Sequence, residues 1–120
     1  MTKPRLAGGQ TSEELETLLE DAIVLGDIEG LLTLFAPHGL LAGPATAPAH
    51  GATDIAQSAR ALIAAGWAYI AEPTLVLQAD RTALVVAPHA LNVVRNGRDG
   101  LWRYEICRVN PSRATQVGPQ

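Results

Sequence analysis

The stretch from residue 90 to residue 110 most constrains the fold, because it predicts two β-strands joined by a tight hairpin. Asn96-Gly97 and Asp99-Gly100 lie in its middle, and both dipeptides favour the positive φ angles that hairpin turns require. Apolar residues alternate on both sides, and after the turn every second position carries a large side chain: Trp102, Tyr104 and Ile106. This alternation indicates a sheet in the C-terminal half of the chain.

Composition narrows the class of protein. A chain of 120 residues, 48% of them hydrophobic, is expected to form one folded domain. The net charge of −3 argues against nucleic acid and anionic membranes as partners, and the four arginines from Arg95 to Arg108 are interpreted as strand surface. Cys107 is the single cysteine, so an intrachain disulfide is impossible. No apolar run reaches signal-peptide or membrane-span length, which predicts a cytoplasmic protein.

Periodicity divides the chain into three parts. Residues 1–10 lack a repeating pattern and are predicted to be a disordered N-terminal segment. Residues 111–120 are polar and are predicted to be a flexible C-terminal tail. The region between them, residues 11–110, is predicted to be a single domain.

Two helices are predicted at the start of this domain. A capping box of Thr11 and Glu14 precedes an apolar stripe of helical spacing, and Gly26 ends that stripe. Asp27 then caps a second helix, whose stripe continues to Phe35.

A third helix is predicted from Thr53 or Asp54 to Gly66. Strands are predicted at residues 40–42, 74–78, 82–87 and 90–95, besides the strand after the hairpin turn. Pro88-His89 is predicted to be a turn or a bend. Helices that are largely segregated from a run of antiparallel strands predict an α+β domain.

Three strings of residues carry a resemblance to a known family. They are Gly26-Asp27-Ile28-Glu29; Leu34-Phe35-Ala36-Pro37-His38 with a later His50-Gly51; and Val93-Val94-Arg95 with Asp99-Gly100-Leu101-Trp102-Arg103-Tyr104. Over roughly residues 12 to 110 the chain resembles the NTF2-like superfamily, in its ketosteroid-isomerase-like and SnoaL-like branch. The resemblance implies a cone-shaped, cystatin-like α+β fold, with three N-terminal helices packed on a curved antiparallel sheet around an internal pocket.

The resemblance also implies which positions would carry chemistry. The isomerase's general-base aspartate falls on Gly43, its oxyanion-hole tyrosine on Leu19 and its protonated aspartate on Asn92. Glycine and leucine transfer no protons, so ketosteroid isomerisation is not expected. Asn92 is predicted to lie inside the cone, either donating to a ligand or satisfied by backbone or water. Trp67 and Tyr69 are predicted either to line the pocket mouth or to pack at the start of a strand.

The register of the last strand is left open by two conflicting patterns. The resemblance turns Arg103, Glu105 and Cys107 toward the pocket, where burial would raise the pKa of Glu105 and suit it to act as a general base. Alternation alone instead turns the large side chains of the hairpin toward the core, which leaves Arg103 and Glu105 in water.

Histidine spacing predicts no metal site. His38, His50 and His89 all lie near proline or glycine, and no pair has the spacing of metal ligands. The chain also lacks a glycine-rich phosphate loop, and no cofactor is predicted.

Two functions are consistent with these residues. The first is binding of a small, largely apolar ligand in the internal pocket, with Asn92, Cys107, Arg103, Leu19, Gly43 and Trp67 as lining residues. The second is an isomerase, lyase or hydrolase that uses Glu105 as general base and Asn92 as donor. In either case a homodimer is predicted, through an outer sheet face that presents Trp102, Tyr104 and Ile106.

Overall fold

The computed structural model describes residues 8–43 and 47–109. It contains three helices, α1 (Ser12–Leu25), α2 (Ile28–Leu32) and α3 (Gly51–Ala64). The strands are β1 (Phe35–Ala42), β2 (Ala49–His50), β3 (Leu75–Ala79), β4 (Thr82–Ala87), β5 (Ala90–Asn96) and β6 (Trp102–Val109). The order of elements confirms the predicted α+β class. The predicted C-terminal tail lies outside the described residues.

Both of the first two helices begin at their predicted capping residues, and α1 also ends at its predicted cap. The Thr11 hydroxyl accepts a hydrogen bond from the Glu14 N–H at 2.9 Å, and the Asp27 carboxylate accepts one from the Gly30 N–H at 2.9 Å. Gly26 adopts the left-handed conformation, with φ 66°, and ends α1. These contacts satisfy backbone groups that the helix ends leave unpaired.

Helix α2 is shorter than predicted, because Phe35 belongs to β1 and not to the helical stripe. Phe35 lies opposite Tyr104 of β6, and the centroids of the two rings are 5.4 Å apart. Pairing with a neighbouring strand and aromatic packing therefore outweigh the helical spacing of this residue. Helix α3 begins at Gly51, slightly before the predicted Thr53.

The sheet has the strand order β2-β1-β6-β5-β4-β3. Strand β1 runs parallel to β6 and every other pairing is antiparallel, so the sheet is mixed and not purely antiparallel as predicted. Pro88-His89 is the turn that joins β4 to β5, since Ala87 lies opposite Ala90. The helices cover one face of this sheet, here called the inner face, and the opposite face is called the outer face.

A β-bulge at Glu105 settles the register of β6. Val94 lies opposite Tyr104 and Val93 lies opposite Ile106, so Glu105 is an extra residue with no partner of its own on β5. The bulge changes which positions face inward halfway along the strand. The buried residues of β6 are accordingly Trp102 and Tyr104 before the bulge, and Cys107 and Val109 after it.

The orientation predicted from alternation is therefore correct for the first half of β6. The orientation predicted from the resemblance is correct for the second half. Of the three large side chains expected on the outer face, only Ile106 lies there, with 40% of its surface exposed. The prediction that Trp102 and Tyr104 lie on the outer face is wrong, because both rings are buried on the inner face.

The described start of the chain is joined to β6. The N–H and carbonyl groups of Gly9 form hydrogen bonds with the carbonyl and N–H groups of Trp102, at 3.0 and 2.7 Å. Gly8 and Gly9 are both buried. The folded unit therefore begins before the predicted boundary at residue 11.

The core lies between the helices and the inner face. Its fully buried large side chains include Leu15, Leu19, Leu31, Leu41, Ile55, Val85, Val94 and Val109. In the part of the chain that the structure describes, no helix is both long and apolar enough to cross a lipid bilayer.

Gly39 provides a test of the irregular pairing between β1 and β6. The register of this pair shifts between Phe35 and Leu40, and a Cβ atom at Gly39 would lie 2.9 Å from the Tyr104 carbonyl oxygen. We expect Gly39→Ala to lower the free energy of unfolding by about 1–3 kcal/mol, because backbone must move to accommodate the methyl group. Chemical denaturation measures this loss, and an unchanged unfolding midpoint would contradict the close approach.

Candidate functional site

Glu16 is a charged residue in the middle of the core. It lies on the buried side of α1 between Leu15 and Leu19, and its side chain is completely shielded from solvent. A buried carboxylate is costly unless hydrogen-bond donors replace the water that it has lost. The surroundings of Glu16 therefore form the candidate site.

Three side chains donate hydrogen bonds to the Glu16 carboxylate. The Tyr69 hydroxyl donates to Oε1 at 2.5 Å, and the Tyr104 hydroxyl donates to Oε2 at 2.7 Å. The Asn92 Nδ2 group donates to Oε2 at 2.9 Å and to the Tyr69 hydroxyl at 2.8 Å. These four residues are called the Glu16 cluster.

The members of the Glu16 cluster come from four separate parts of the chain. Glu16 lies on α1, Asn92 on the inner face of β5, and Tyr104 on β6 just before the bulge. Tyr69 lies in the segment 67–73, which has neither helical nor strand structure. Phe35 packs against Tyr104, and Trp67 packs edge-on against Tyr69, so both tyrosine rings are held in place.

Burial dominates the electrostatics of the cluster. Loss of water raises the pKa of Glu16, and the hydrogen bonds from the two tyrosines and Asn92 offset part of that increase. Burial, together with the negative charge of Glu16, raises the pKa values of Tyr69 and Tyr104. The tyrosines are therefore protonated donors, and Glu16 is the group of the cluster that can exchange a proton nearest to neutral pH.

One polar atom of the cluster has no partner among the described residues. Asn92 Oδ1 is buried and accepts no hydrogen bond from any residue that the structure describes. Four surface clefts of the described residues are lined by other side chains, and the residues of the cluster are at most 5% exposed. The cluster is thus enclosed by protein atoms and retains one free acceptor.

Comparison with known proteins identifies the fold of the chain. No family model matches the chain, and no curated protein matches it. Among solved structures, a protein from Thiobacillus denitrificans, provisionally assigned as a calcium/calmodulin-dependent protein kinase type II association domain, is similar at 18% identity. The match has a TM-score of 0.71 and covers 91% of this chain and 98% of that one.

Two further solved structures are similar to the chain. A ketosteroid isomerase-like protein from Erwinia carotovora is 17% identical, with a TM-score of 0.67 over 89% of this chain and 94% of that one. An NTF2-like protein with a cystatin-like fold from Novosphingobium aromaticivorans is 23% identical, with a TM-score of 0.61 over 88% and 82%. The chain has the NTF2-like fold. At these identities the similarity establishes the fold and not a shared activity.

Four of the predicted site residues, Asn92, Leu19, Cys107 and Trp67, lie in the interior of the NTF2-like fold. Asn92 is fully buried on the inner face, as predicted, and Leu19 and Cys107 are buried beside the same core. Burial raises the pKa of the Cys107 thiol, with a smaller contribution from Glu16, so the residue is a small apolar filler and not a thiolate. Trp67 packs against Tyr69, and Gly43 follows the end of β1.

Arg103 and Glu105 do not lie in the interior. Both line a cleft on the outer face, and the Arg103 guanidinium is bound to Asp99 at 2.5 Å. The bulge is the reason: it keeps Glu105 on the same side as Ile106, while Tyr104 faces inward. The prediction that Glu105 faces the internal pocket therefore does not hold, and the buried carboxylate is Glu16.

Sequence reasoning missed Glu16, although a signal for it was present. The residue lies three positions before Leu19 and seven before Ile23, which places a carboxylate within the apolar stripe of α1. Tyr69 carried no comparable signal, because its position follows from the path of an irregular segment.

The histidines do not form a metal site in the described residues. No three residues among His, Cys, Asp and Glu lie close enough together there to hold a metal ion. His38 and His50 are exposed, whereas His89 lies in the β4–β5 turn, and its buried Nδ1 atom has no partner in the described part of the chain.

The raised pKa of Glu16 predicts a pH-dependent stability. Its contribution to stability is complete below the unfolded value of 4.5, where both states are protonated, and is lost as pH rises through the raised folded pKa. Glu16→Gln cannot titrate, so its free energy of unfolding should fall less than that of the wild type between the unfolded pKa of 4.5 and the raised folded pKa. Urea unfolding across this range measures the difference in slope.

Glu29→Gln is the matched control, because Glu29 is exposed on α2. Its unfolding free energy should follow the wild-type pH dependence. Parallel curves for the wild type and Glu16→Gln would show that the carboxyl titrates alike in the folded and unfolded states.

Proposed function

We propose that this protein binds a small, largely apolar molecule with one hydrogen-bonding group, in the interior of the cone and at the Glu16 cluster. The observation that carries the proposal is the buried Asn92 Oδ1 atom, which has no partner among the described residues and lies beside the Glu16 carboxylate. A native core rarely leaves such an acceptor unsatisfied, whereas a ligand with a hydroxyl group would satisfy it.

The segment 67–73 provides the route to the cluster. It has no regular structure, and between residues 68 and 73 its backbone hydrogen bonds to described residues are limited to one from Glu72 to Ile70. Its attachment to the core therefore depends on side chains, chiefly Trp67 and Tyr69. Displacement of this segment would withdraw the Tyr69 side chain and open space beside Asn92, from which a ligand hydroxyl can donate to Oδ1.

The cluster also favours a second function, acid–base catalysis. Its raised pKa brings Glu16 closer to the range in which a carboxyl group serves as a general acid or base. The ketosteroid isomerase set is not reproduced, since Leu19 and Gly43 offer no group that transfers a proton. An isomerase, lyase or hydrolase would therefore depend on Glu16, with Asn92 as donor. Turnover that is lost in Glu16→Gln would favour this function over binding alone.

Two probe molecules test the binding site. 2-Naphthol carries a hydroxyl group on an apolar ring system, and 2-methylnaphthalene has nearly the same shape without it. We expect 2-naphthol to bind about tenfold more tightly, the difference expected for about one net hydrogen bond. Asn92→Leu should remove this preference. Fluorescence titration measures both affinities.

Gln57→Leu is the control for this test, because it makes a similar change on the exposed side of α3. It should preserve the preference for 2-naphthol. Equal affinity of the wild type for the two probes would contradict a role for the cluster, and failure of both to bind at millimolar concentration would contradict the interior site.

We further propose that the protein forms a homodimer through the outer face, with Ile106 retained from the residues first predicted and without Trp102 and Tyr104. A row of apolar side chains crosses five strands at matching register: Leu77, Leu84, Val93, Ile106 and Leu40. A second row contains Leu75, Val86 and Leu91. A patch of this kind on a monomer commonly marks an interface. The structural relative assigned provisionally as an association domain agrees with self-association.

Leu77→Arg tests the dimer. Leu77 is 55% exposed, and covering a side chain of this kind stabilises an interface by about 1 kcal/mol, whereas a buried, unpaired arginine opposes association. We expect a folded monomer by sedimentation. Val24→Arg is the control, because Val24 is 76% exposed on α1, and it should remain a dimer. A wild-type chain that is monomeric at high micromolar concentration would contradict the proposal.

A further inference from the structure

A concentration of positive charge lies at one end of the outer face. A cleft of about 360 Å³ is lined by Arg81, Arg95, Arg98 and Arg103, together with Glu105 and Pro37. It is called the arginine cleft. The described residues contain six arginines and no lysine, and four of the six arginines line this cleft. The distribution is notable in a chain whose net charge is −3.

Two of the four guanidinium groups are held by the 96–100 hairpin turn. Arg103 donates to both carboxylate oxygens of Asp99, at 2.5 and 3.2 Å. This pairing lowers the pKa of Asp99 to about 2, so the carboxylate is ionised at neutral pH. Arg81 donates to the Gly97 carbonyl oxygen at 3.4 Å. These contacts fix the walls of the arginine cleft.

The other two guanidinium groups have no partner among the described residues. Arg95 and Arg98 are exposed, and neither forms an ion pair or a hydrogen bond there. Arg95 also lies directly opposite Arg103 on the neighbouring strand. Like charges in this position repel each other, and a bound anion would relieve that repulsion.

Glu105 does not neutralise the cleft. It forms no ion pair with any residue that the structure describes, although it lies in the same lining. Four arginines, less the charges of Glu105 and the paired Asp99, leave an excess of two positive charges. The cleft therefore has the charge to balance one doubly negative group.

We propose that the arginine cleft binds the phosphate group of a small molecule. Arginine presents paired N–H donors that match phosphate oxygens, and Arg95 and Arg98 have all of theirs free of described partners. The volume of the cleft lies within the range of about 300–1,000 Å³ that is usual for small-molecule sites. A nucleic acid is a poor fit, because it would also meet the negative charge of the rest of the chain.

This site is distinct from the interior site of the proposed function. The Glu16 cluster lies under the helices on the inner face, whereas the arginine cleft opens on the outer face. Either proposal can fail without affecting the other.

Calorimetric titration with inorganic phosphate and with glycerol 3-phosphate tests the proposal. Each titration is compared with sodium chloride at equal ionic strength, which separates binding from screening. We expect saturable binding of phosphate and no saturation with chloride. Tighter binding of glycerol 3-phosphate would identify a phosphate ester as the ligand, and equal binding would identify phosphate itself.

Three substitutions localise the binding. Arg95→Ala and Arg98→Ala should each weaken phosphate binding about tenfold, because each removes a charge-assisted contact. Arg60→Ala removes the same charge from α3 and should change the affinity less than twofold. Arg95→Lys retains the charge without the paired donors and should bind with intermediate affinity.

Two results would overturn the proposal. One is an equal loss of affinity in Arg60→Ala and Arg95→Ala, which would indicate a diffuse effect of charge. The other is binding of succinate as tight as that of phosphate, which would remove the assignment to a phosphate group. The three substituted arginines, Arg60, Arg95 and Arg98, are exposed, so folded protein is expected for every variant, and thermal denaturation verifies it.

Discussion

The hydrogen bonds to the Glu16 carboxylate hold together parts of the chain that are far apart in sequence. They join Glu16 to residues 53, 76 and 88 positions away, on an irregular segment and on two strands. A buried carboxylate is tolerated only when its donors are correctly placed, so a shift of α1 along the sheet would leave a charge unpaired at a cost of several kcal/mol. Apolar packing alone would allow many such shifts, and the carboxylate selects one of them.

Local features of the fold could be predicted from the sequence. Thr11, Gly26 and Asp27 act on backbone groups within a few residues of themselves, so the helix boundaries follow from short-range chemistry. The hairpin after Asn96 follows in the same way from Gly100, whose φ of 81° lies in the left-handed region. The fold itself followed from the order of the elements and the resemblance.

The site could not be predicted as well, because it depends on long-range pairing. The bulge at Glu105 depends on how β6 pairs with β1 and β5 at the same time. No residue near it indicates an extra position in the strand. A single inserted residue reverses every later orientation on the strand, so Glu105 was assigned to the interior and Tyr104 to the outer face. Asn92 was placed correctly because buried and more exposed residues alternate along β5 without interruption.

The position of β6 in the sheet has a consequence for the order of folding. The strand lies between β1 and β5, so the last strand of the described chain occupies the middle of the sheet and not its edge. During synthesis β1 emerges more than half a chain before its neighbour, and until then one of its edges is open to pairing with other chains. Because β1 and β6 are far apart in sequence, this topology has a high contact order. Closing so long a loop is slow. The interval before β6 is released from the ribosome is therefore the time at which the nascent protein is most exposed to misassembly.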